Sequence, residues 1–335
     1  MIPKSNLKCL IAGVGSIGRR HLRNLRSLGI NEVVLYRRAG SSEQCEGEFS
    51  EAITEVDLNS ALAHKPDFAV ISNPTSLHAE VALACARANC HLFIEKPIAH
   101  KLDDCADLLR EINNRNLIAM VGFQFRFHPG LWQIKRLLEE DVIGPVVSAQ
   151  AHWGEYLPAW HPWEDHRQSY SARDELGGGV ILTLCHPFDY LRWLLGEVAE
   201  VSAMMINRGG LEIEVEDTAQ VQMRFESGAI ANVHLDYVQR PADHWLQITG
   251  QRGVLRWDNS DGKARWFDIA ANQWKEFSPS SNFERNTMFI DEMHHFIQCV
   301  SEHQQPLCTF DDGVAALKIA LTTKESARQK RTLSL

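Results

Sequence analysis

The chain has 335 residues, of which 44% are hydrophobic and 23% are charged, a balance that predicts a soluble protein of two globular domains. The formal net charge of -9, with no long run of lysine or arginine, argues against an extended nucleic-acid partner. Eight scattered cysteines form no Cys-x-x-Cys pair, and no apolar stretch is long enough for a bilayer. We therefore expect a cytoplasmic protein with reduced thiols, no secretory leader and no membrane partner.

A glycine-rich motif follows the first apolar run of the chain, which is predicted to be a strand. Gly13 permits a tight turn, Gly15 allows a phosphate group to approach the backbone, and Gly18 allows the next helix to pack on the strand. The first N–H groups of that helix can bind an anion. Because the motif lies between a strand and an amphipathic stretch, it predicts dinucleotide binding. The predicted cofactor contacts of this motif are Gly13, Gly15, Ser16, Ile17 and Gly18.

The first third of the chain alternates apolar strands with helices. Such alternation predicts right-handed βαβ units and a doubly wound parallel sheet, an α/β Rossmann domain over residues 1–122. Ligands of such sheets bind beyond the carboxyl ends of the strands. The predicted strands after the first cover residues 32–36, 67–72, 91–95 and 117–121, and the predicted helices after the glycine motif cover residues 58–63, 76–88 and 102–113.

The pattern changes after residue 122, and residues 123–335 are predicted to form an α+β domain with a mainly antiparallel sheet. This domain is expected to bind substrate and to mediate oligomerisation, and its last helix is one that can pack back on the first domain. Polar and apolar residues alternate on both sides of Ser227-Gly228, which predicts a hairpin with one buried face. The predicted strands cover residues 146–153, 219–225, 229–235, 244–250, 254–258 and 265–269, and the predicted helices cover residues 132–138, 177–195, 286–301 and 312–328.

The sequence resembles the Gfo/Idh/MocA oxidoreductases (relatives of glucose-fructose oxidoreductase and inositol dehydrogenase) in four segments that occur in the family's order and spacing. These segments are AGVGSIGRRHLRNL (12–25), NPTSLHAEVALACARANCHLFIEKPIA (73–99), FQFRFHPG (123–130) and GGGVILTLCHPFDYLRWLLG (177–196). The tripeptide Glu95-Lys96-Pro97, placed after a strand, is the most specific piece. The resemblance implies hydride transfer between a nicotinamide and a secondary alcohol or ketone of a sugar, a sugar nucleotide or a cyclitol. It also implies a homodimer or homotetramer.

Lys96 and His186 are the main predicted catalytic residues. The reaction needs a proton acceptor for the hydroxyl and a positive donor where negative charge develops on oxygen. The resemblance places the family's lysine, here Lys96, between nicotinamide and substrate, and His186 is suited to take or relay the proton. The family commonly has an aspartate four residues before this histidine, where this chain has Leu182, and the nearest polar residue is Thr183. Thr183 is therefore the third predicted catalytic residue, although His186 can also act with Lys96 alone.

The resemblance implies further cofactor contacts in two loops that follow predicted strands. These contacts are Asn73, Pro74, Thr75, His78, Glu95 and Lys96.

Three residues are predicted to contact the substrate. Arg126 can orient a hydroxyl or phosphate, with a structural ion pair as the alternative. Trp163 belongs to an aromatic group that can form a wall for a sugar or can pack in the core. Asp189 follows His186 by three residues and can lie on the same helix face, either at the site or in a structural role. The aromatic group consists of Trp153, Tyr156, Trp160, Trp163 and Tyr170. No metal is predicted, because residues 161–166 have a composition but not a spacing typical of zinc sites.

The end of the second strand predicts the choice of cofactor. NAD enzymes of this architecture have an acidic residue there, which accepts hydrogen bonds from the ribose. This chain has Arg37 and Arg38 instead, and the nearest carboxylate, Glu43, lies further along the loop. An arginine binds a 2′-phosphate well, so NADP(H) is the predicted cofactor, with NAD(H) as the second possibility. The alternative is that both arginines are solvated surface charges.

Two other functions are compatible with these residues. One is an NAD-dependent glycosidase of the same family, which oxidises its substrate transiently with a tightly held cofactor. The other is a dinucleotide-binding sensor without catalysis, an alternative left open by the missing aspartate before His186. Net turnover of free cofactor distinguishes both from a dehydrogenase.

Overall fold

The computed structural model describes residues 7–37 and 52–335, and the chain divides into two compact units. The first unit contains the described residues up to Gln124 together with Glu284–Val314. The second unit contains Phe125–Phe283 and Ala315–Leu335. The sequence predicts one boundary at residue 122 and does not predict that residues 284–314 belong to the first unit.

The first unit is built on a parallel sheet of six strands among the described residues, in the order β3-β2-β1-β4-β5-β6. The strands are β1 (Lys8–Ala12), β2 (Glu32–Tyr36), β3 (Ile53–Glu55), β4 (Phe68–Ile71), β5 (His91–Glu95) and β6 (Ala119–Gly122). The chain runs outward in one direction from β1 to β3 and in the other from β4 to β6. This reversal beside β1 is the switch point at which such sheets bind ligands. The predicted Rossmann fold is confirmed.

Helices connect these strands, and the first follows the glycine motif directly. They are α1 (Ser16–Ser27), α2 (Leu58–Ala63), α3 (His78–Arg87) and α4 (Asp103–Asn114). On α1, Gly18, His21, Leu22 and Leu25 are buried, which is the spacing of one helix face. Leu22 and Leu25 are apolar, whereas the arginines beside them in the sequence are charged. The face with the two leucines is therefore the one that packs against the sheet.

The second unit is built on a nine-stranded sheet within the described part of the chain, in the order β14-β13-β12-β11-β7-β10-β9-β8-β15. The strands are β7 (Val146–Tyr156), β8 (Val198–Ile206), β9 (Thr218–Phe225), β10 (Ile230–Asp236), β11 (Val238–Gly250), β12 (Gly253–Asp258), β13 (Ala264–Asp268), β14 (Gln273–Phe277) and β15 (Leu333–Ser334). All pairs are antiparallel except β7 with β10. The predicted hairpin is present as β9 and β10, and the predicted α+β class is confirmed.

The predicted helix over residues 177–195 is wrong as one continuous element. The structure has α5 (Pro129–Glu139), then a short α6 (Val180–Thr183), and then α7 (His186–Leu195). Pro187 lies in the first turn of α7, where its missing N–H costs no hydrogen bond. The proline therefore begins a new helix at His186, as its position in the sequence suggests.

Two further helices close the chain, α8 (Arg285–Glu302) and α9 (Phe310–Gln329). α8 belongs to the first unit, where Asn286 Nδ2 donates to Asn24 Oδ1 of α1 at 2.9 Å. Most of α9 belongs to the second unit. The first residues of α9, up to Val314, belong to the first unit as well, and packing of the last helix on the first domain stays a prediction.

The sequence pattern does not predict β8 or β14. In β14 no residue is buried, and β8 lacks a strict alternation of buried and exposed positions. Neither strand presents the period of two by which strands are recognised.

The structure bears on two further features of the sequence. The cysteines in the described ranges are buried free thiols, and burial raises the pKa of Cys90 to about 12. Of the helices that the structure describes, none is both long and apolar enough to cross a membrane.

Candidate active site

The glycine turn between β1 and α1 has the shape that a phosphate group needs. Gly13 has a φ of +98°, and a Cβ there would lie 2.5 Å from the backbone nitrogen of Asn73. A Cβ on Gly18 would lie 2.0 Å from the Gly13 carbonyl oxygen, whereas one on Gly15 would meet nothing within 4 Å. No described side chain caps α1, and its first turn has no acidic residue. This helix start, which includes Ser16 and Ile17, can therefore accept an anion.

The loop after β4 lies against the glycine turn and carries Asn73, Pro74 and Thr75. Ser72 Oγ donates to the carbonyl oxygen of Gly13 at 2.9 Å, which joins the two loops. The side-chain oxygen Oδ1 of Asn73 is buried and has no hydrogen-bond partner among the described residues. A buried acceptor of this kind is costly unless a ligand donates to it. The residues at this edge of the sheet therefore fit a dinucleotide.

Lys96 lies directly after β5, at the same edge of the sheet as the glycine turn. The carboxylate of Glu95 is buried, and its Oε1 lies 2.7 Å from Nε2 of His21. The backbone N–H of Lys96 donates to Oε2 of Glu95 at 3.3 Å. The turn that carries Lys96 is thus tied to α1 through one side chain.

His78 ties the same turn to the loop after β4. Its Nδ1 lies 2.9 Å from the carbonyl oxygen of Pro97, and its Nε2 lies 2.8 Å from the carbonyl oxygen of Asn73. Burial lowers the pKa of His78, more strongly than these hydrogen bonds raise it. The neutral imidazole donates to one of the two carbonyl groups. His78 therefore connects the two loops on which the predicted cofactor contacts lie.

Arg37 lies directly after β2 and is half-buried. Its backbone N–H donates to the carbonyl oxygen of Glu55 at the end of β3, at 3.1 Å. It occupies the place where NAD enzymes of this architecture have their acidic residue. Arg38 and Glu43 lie outside the described residues.

His186 is the first residue of α7 and is 1% exposed. Its ring lies 5.0 Å from the ring of Phe125, edge to face, and 5.3 Å from the ring of Trp153. Trp153 is the member of the predicted aromatic group that lies beside the predicted catalytic histidine. The imidazole therefore has an apolar, aromatic setting within the second unit.

Thr183 is the last residue of α6 and is also buried. Its side chain interacts with the hydroxyl of Tyr237, which donates to the carbonyl oxygen of Ser171 at 3.3 Å. Burial raises the pKa of Tyr237 well above its ordinary value, and the interaction with Thr183 opposes that increase. The threonine that stands near the position of the family's aspartate thus belongs to a buried group of hydroxyls.

Arg126 and Asp189, two predicted substrate contacts, face each other. Nε of Arg126 lies 3.1 Å from Oδ2 of Asp189, and Nη2 lies 2.8 Å from Oδ1. Their side chains are 3% and 2% exposed, and the guanidinium lies over the ring of Trp193. This bidentate pair is the structural ion pair that the sequence left open for Arg126. Direct contact of either residue with a substrate stays a prediction.

Trp163, the third predicted substrate contact, is 76% exposed. Its Nε1 donates to Oε1 of Glu164 at 3.1 Å, and its ring lies 5.5 Å from that of His161. Trp160 packs instead on Tyr237, with 5.7 Å between ring centroids. Trp153, Trp160 and Trp163 therefore have different neighbours, and a wall for a sugar stays a prediction.

One group of potential metal ligands occurs among the described residues: His152, His234 and Asp236, with donor atoms within 4.8 Å of one another. The two imidazole rings are stacked with 14° between their planes, so their nitrogen lone pairs do not converge on one point. Nε2 of His234 lies 2.8 Å from Oδ2 of Asp236, and Nε2 of His152 lies 2.7 Å from Oε1 of Gln239. In this structure the group is a hydrogen-bond network on one face of the sheet.

Two buried histidines beside the predicted residues are absent from the predicted set. His244 stacks on Trp153, with ring centroids 4.4 Å apart. It shares a face of β11 with Leu246 and Ile248, and this alternation is a signal that it points inward. His21 lies three residues after the last motif glycine, a spacing that places it on the buried face of α1.

Two family models match the chain. The model described as "Oxidoreductase family, NAD-binding Rossmann fold" matches residues 7–123. The model of the GFO/IDH/MocA C-terminal domain matches residues 131–256. The two matches together cover more than half of the chain.

Similar proteins carry names of sugar and cyclitol enzymes. The myo-inositol 2-dehydrogenase of Thermotoga maritima is 26% identical, over 97% of this chain and 97% of its own length. The 1,5-anhydro-D-fructose reductase of Ensifer adhaerens is 26% identical, over 86% of this chain and 85% of its own. A solved levoglucosan dehydrogenase, in complex with NADH and levoglucosan, superposes with a TM-score of 0.88 at 19% identity, over 98% of this chain and 99% of its own. That last similarity establishes a shared fold.

Proposed function

This chain belongs to the Gfo/Idh/MocA family of oxidoreductases, and on that premise we propose that it transfers a hydride between nicotinamide and a secondary alcohol or ketone of a sugar, a sugar nucleotide or a cyclitol. The similar proteins named for myo-inositol, 1,5-anhydro-D-fructose and levoglucosan support this substrate class. The cofactor that we propose is NADP(H).

The proposed mechanism assigns a separate task to each predicted residue. The bound dinucleotide supplies or accepts the hydride. The glycine turn and α1 bind its phosphates, and Asn73 accepts a hydrogen bond from it. Lys96 donates a hydrogen bond to the substrate oxygen, where negative charge develops. His186 accepts the hydroxyl proton in the oxidation and returns it in the reduction.

The position of Lys96 is the observation that carries this proposal. It lies after β5, on the edge of the sheet where the turn after β1 is shaped for phosphate, with β4 between the two strands. Its turn is fixed on one side through Glu95 and on the other through Pro97. A half-buried lysine on a turn that is fixed on both sides is suited to contact a ligand bound at this edge of the sheet.

A substrate screen tests the function. The purified protein is incubated with NADP+ or NAD+ and with myo-inositol, levoglucosan and sugar nucleotides, and with NADPH or NADH and the corresponding ketones. We expect steady net turnover, followed by nicotinamide absorbance, with at least one member of this class. Cleavage of a glycosidic bond without net change of free cofactor would indicate the glycosidase instead. Binding detected by thermal shift without any turnover would indicate the sensor.

Arg37 or Arg38 is expected to select NADP(H). An arginine can bind the 2′-phosphate through two hydrogen bonds, and one hydrogen bond to a charged group contributes roughly 1.5–3 kcal/mol. Arg37→Ala or Arg38→Ala should therefore weaken NADP(H) binding by about one to two decades, with little change for NAD(H). Titration of both cofactors into the wild type and each variant, followed by tryptophan or nicotinamide fluorescence, measures the ratio.

Arg87→Ala is a matched control for that titration, because Arg87 is an exposed arginine at the end of α3 that pairs with Glu111. Its cofactor ratio should equal that of the wild type. Wild-type protein that binds NAD(H) as tightly as NADP(H), with neither arginine variant changing the ratio, would disprove this assignment.

A further inference from the structure

A buried carboxylate precedes Lys96 and is held by a buried histidine. Glu95 is 7% exposed and His21 is fully buried. A carboxylate can only accept, so Nε2 of His21 donates to Oε1 of Glu95 across 2.7 Å. The other ring nitrogen, Nδ1, has no hydrogen-bond partner among the described residues, and the ring packs edge to face on Phe93. The imidazole is thus oriented by the carboxylate and by apolar packing.

The second oxygen of Glu95 is bound within the same turn. Oε2 accepts the backbone N–H of Lys96 at 3.3 Å. A Cβ on Gly122 of β6 would lie 3.4 Å from the carboxyl carbon, so the neighbouring strand leaves little room around this group. Both oxygens are therefore used inside the first unit. Their positions favour support of the turn over direct contact with a cofactor.

The groups around this carboxylate favour its ionised form. Burial raises the pKa of Glu95, but the hydrogen bond from His21 and the electrostatic interactions with His21, Lys96 and His78 outweigh it, so that the pKa is lowered. Arg20 of α1 also interacts electrostatically with Glu95. The group is therefore ionised at neutral pH. Since charge interactions are reciprocal, the carboxylate in turn stabilises the protonated form of Lys96.

We propose that Glu95 is the counter-charge and positioning residue of Lys96, and that His21 holds the carboxylate in this place. The inference rests on the proposed function, in which Lys96 donates to the substrate oxygen as a cation. Glu95 acts through Lys96: its charge keeps the ammonium protonated, and its bond to the Lys96 backbone fixes the turn. His21 links this turn to α1, the helix proposed to bind the phosphates.

Chemical labelling of Lys96 tests the proposal without any substrate. The unliganded protein is acetylated with trace amounts of acetic anhydride at a series of pH values, and the Lys96 peptide is quantified by mass spectrometry. The amine reacts when deprotonated, so the midpoint reports its ionisation. Glu95→Gln removes the negative charge and should move the midpoint to lower pH by about one unit. This is the low end of the pKa shift that a neighbouring opposite charge causes. Glu95→Asp retains the charge and should stay close to the wild type.

Two variants keep this test decisive. Glu111→Gln is the matched control, since it neutralises a half-buried carboxylate of α4 in the same unit, and it should leave the Lys96 midpoint unchanged. If Glu95→Gln does not fold, His21→Leu/Glu95→Met replaces both members of the pair by apolar side chains, a change that proteins often tolerate. The same downward shift is expected there. A folded variant without a carboxylate at residue 95 whose midpoint equals that of the wild type overturns the proposal.

Cofactor binding separates this role from direct contact. The dissociation constant of the dinucleotide should be the same in Glu95→Gln as in the wild type, whereas kcat should fall and the alkaline limb of its pH profile should move to lower pH with Lys96. A dissociation constant raised tenfold, with an unshifted midpoint, would assign Glu95 to cofactor contact and overturn the proposal. If the wild-type protein has no dehydrogenase activity but Glu95→Gln still lowers the labelling midpoint of Lys96, the proposed function is contradicted. The role of Glu95 as counter-charge of Lys96 is then still supported.

Discussion

Replacement of Lys96 or His186 by alanine is expected to lower kcat by about a hundredfold or more. Lys96→Ala removes the donor to the developing oxyanion, and His186→Ala removes the group that transfers the hydroxyl proton. Both losses affect the transition state, so kcat and kcat/KM should fall together. Steady-state kinetics on the substrate found in the screen measure the effect, and fluorescence titration should show that the dinucleotide still binds.

Lys101→Ala is the control for these variants, and Thr183→Val tests the third predicted catalytic residue. Lys101→Ala removes an exposed lysine shortly after the same turn and should retain wild-type kinetics. Thr183→Val keeps the shape of the side chain and removes the hydroxyl that interacts with Tyr237. Its loss of turnover should be smaller than that of His186→Ala, with an unchanged pH profile. A loss in Thr183→Val equal to that in His186→Ala would place the threonine in the proton path. Near wild-type turnover in Lys96→Ala or His186→Ala would refute the role assigned to that residue.

The parallel sheet of the first unit could be predicted because its signals are local. Apart from β3, each strand is a short apolar run, α1 follows with one apolar face, and the glycine motif lies between β1 and α1. The hairpin of β9 and β10 could be predicted for the same reason, since its alternation and its turn are adjacent in sequence. The edge strand β14 could not, because a strand without a buried residue has no apolar periodicity.

Pairings between distant residues could not be predicted. The partners His21 and Glu95 are 74 residues apart, and Arg126 and Asp189 are 63 residues apart. Periodicity shows that such residues lie on a buried face, but not which residue of another element they meet. The sequence therefore predicts Glu95 and Arg126 as ligand contacts, although in the structure both charged groups pair with other residues of the protein. The return of residues 284–314 to the first unit belongs to the same class of long-range information.

Asp189→Ala is expected to destabilise the second unit by about 3–5 kcal/mol, because it leaves the Arg126 guanidinium buried without its partner. All nine tryptophans of the sequence lie between residues 132 and 274, so their fluorescence during urea denaturation reports on this unit. Glu139→Ala, which breaks the exposed pair with Lys135 on α5, is the control and should cost about 0.3–0.5 kcal/mol. A loss for Asp189→Ala as small as that of this control would contradict the structural role of the buried pair.

The double variant Arg126→Met/Asp189→Leu separates stability from substrate binding. Replacement of a buried ion pair by apolar side chains of similar volume is often neutral or stabilising, so most of the stability lost in Asp189→Ala should return. A structural pair predicts that kcat and KM return with it, since neither charge then meets the substrate. If Arg126 contacts the substrate, the opposite result is expected. KM then stays raised at least about tenfold in a protein of wild-type stability, because one hydrogen bond to a charged group is lost. Because the guanidinium already forms two hydrogen bonds with a carboxylate, we expect the first result.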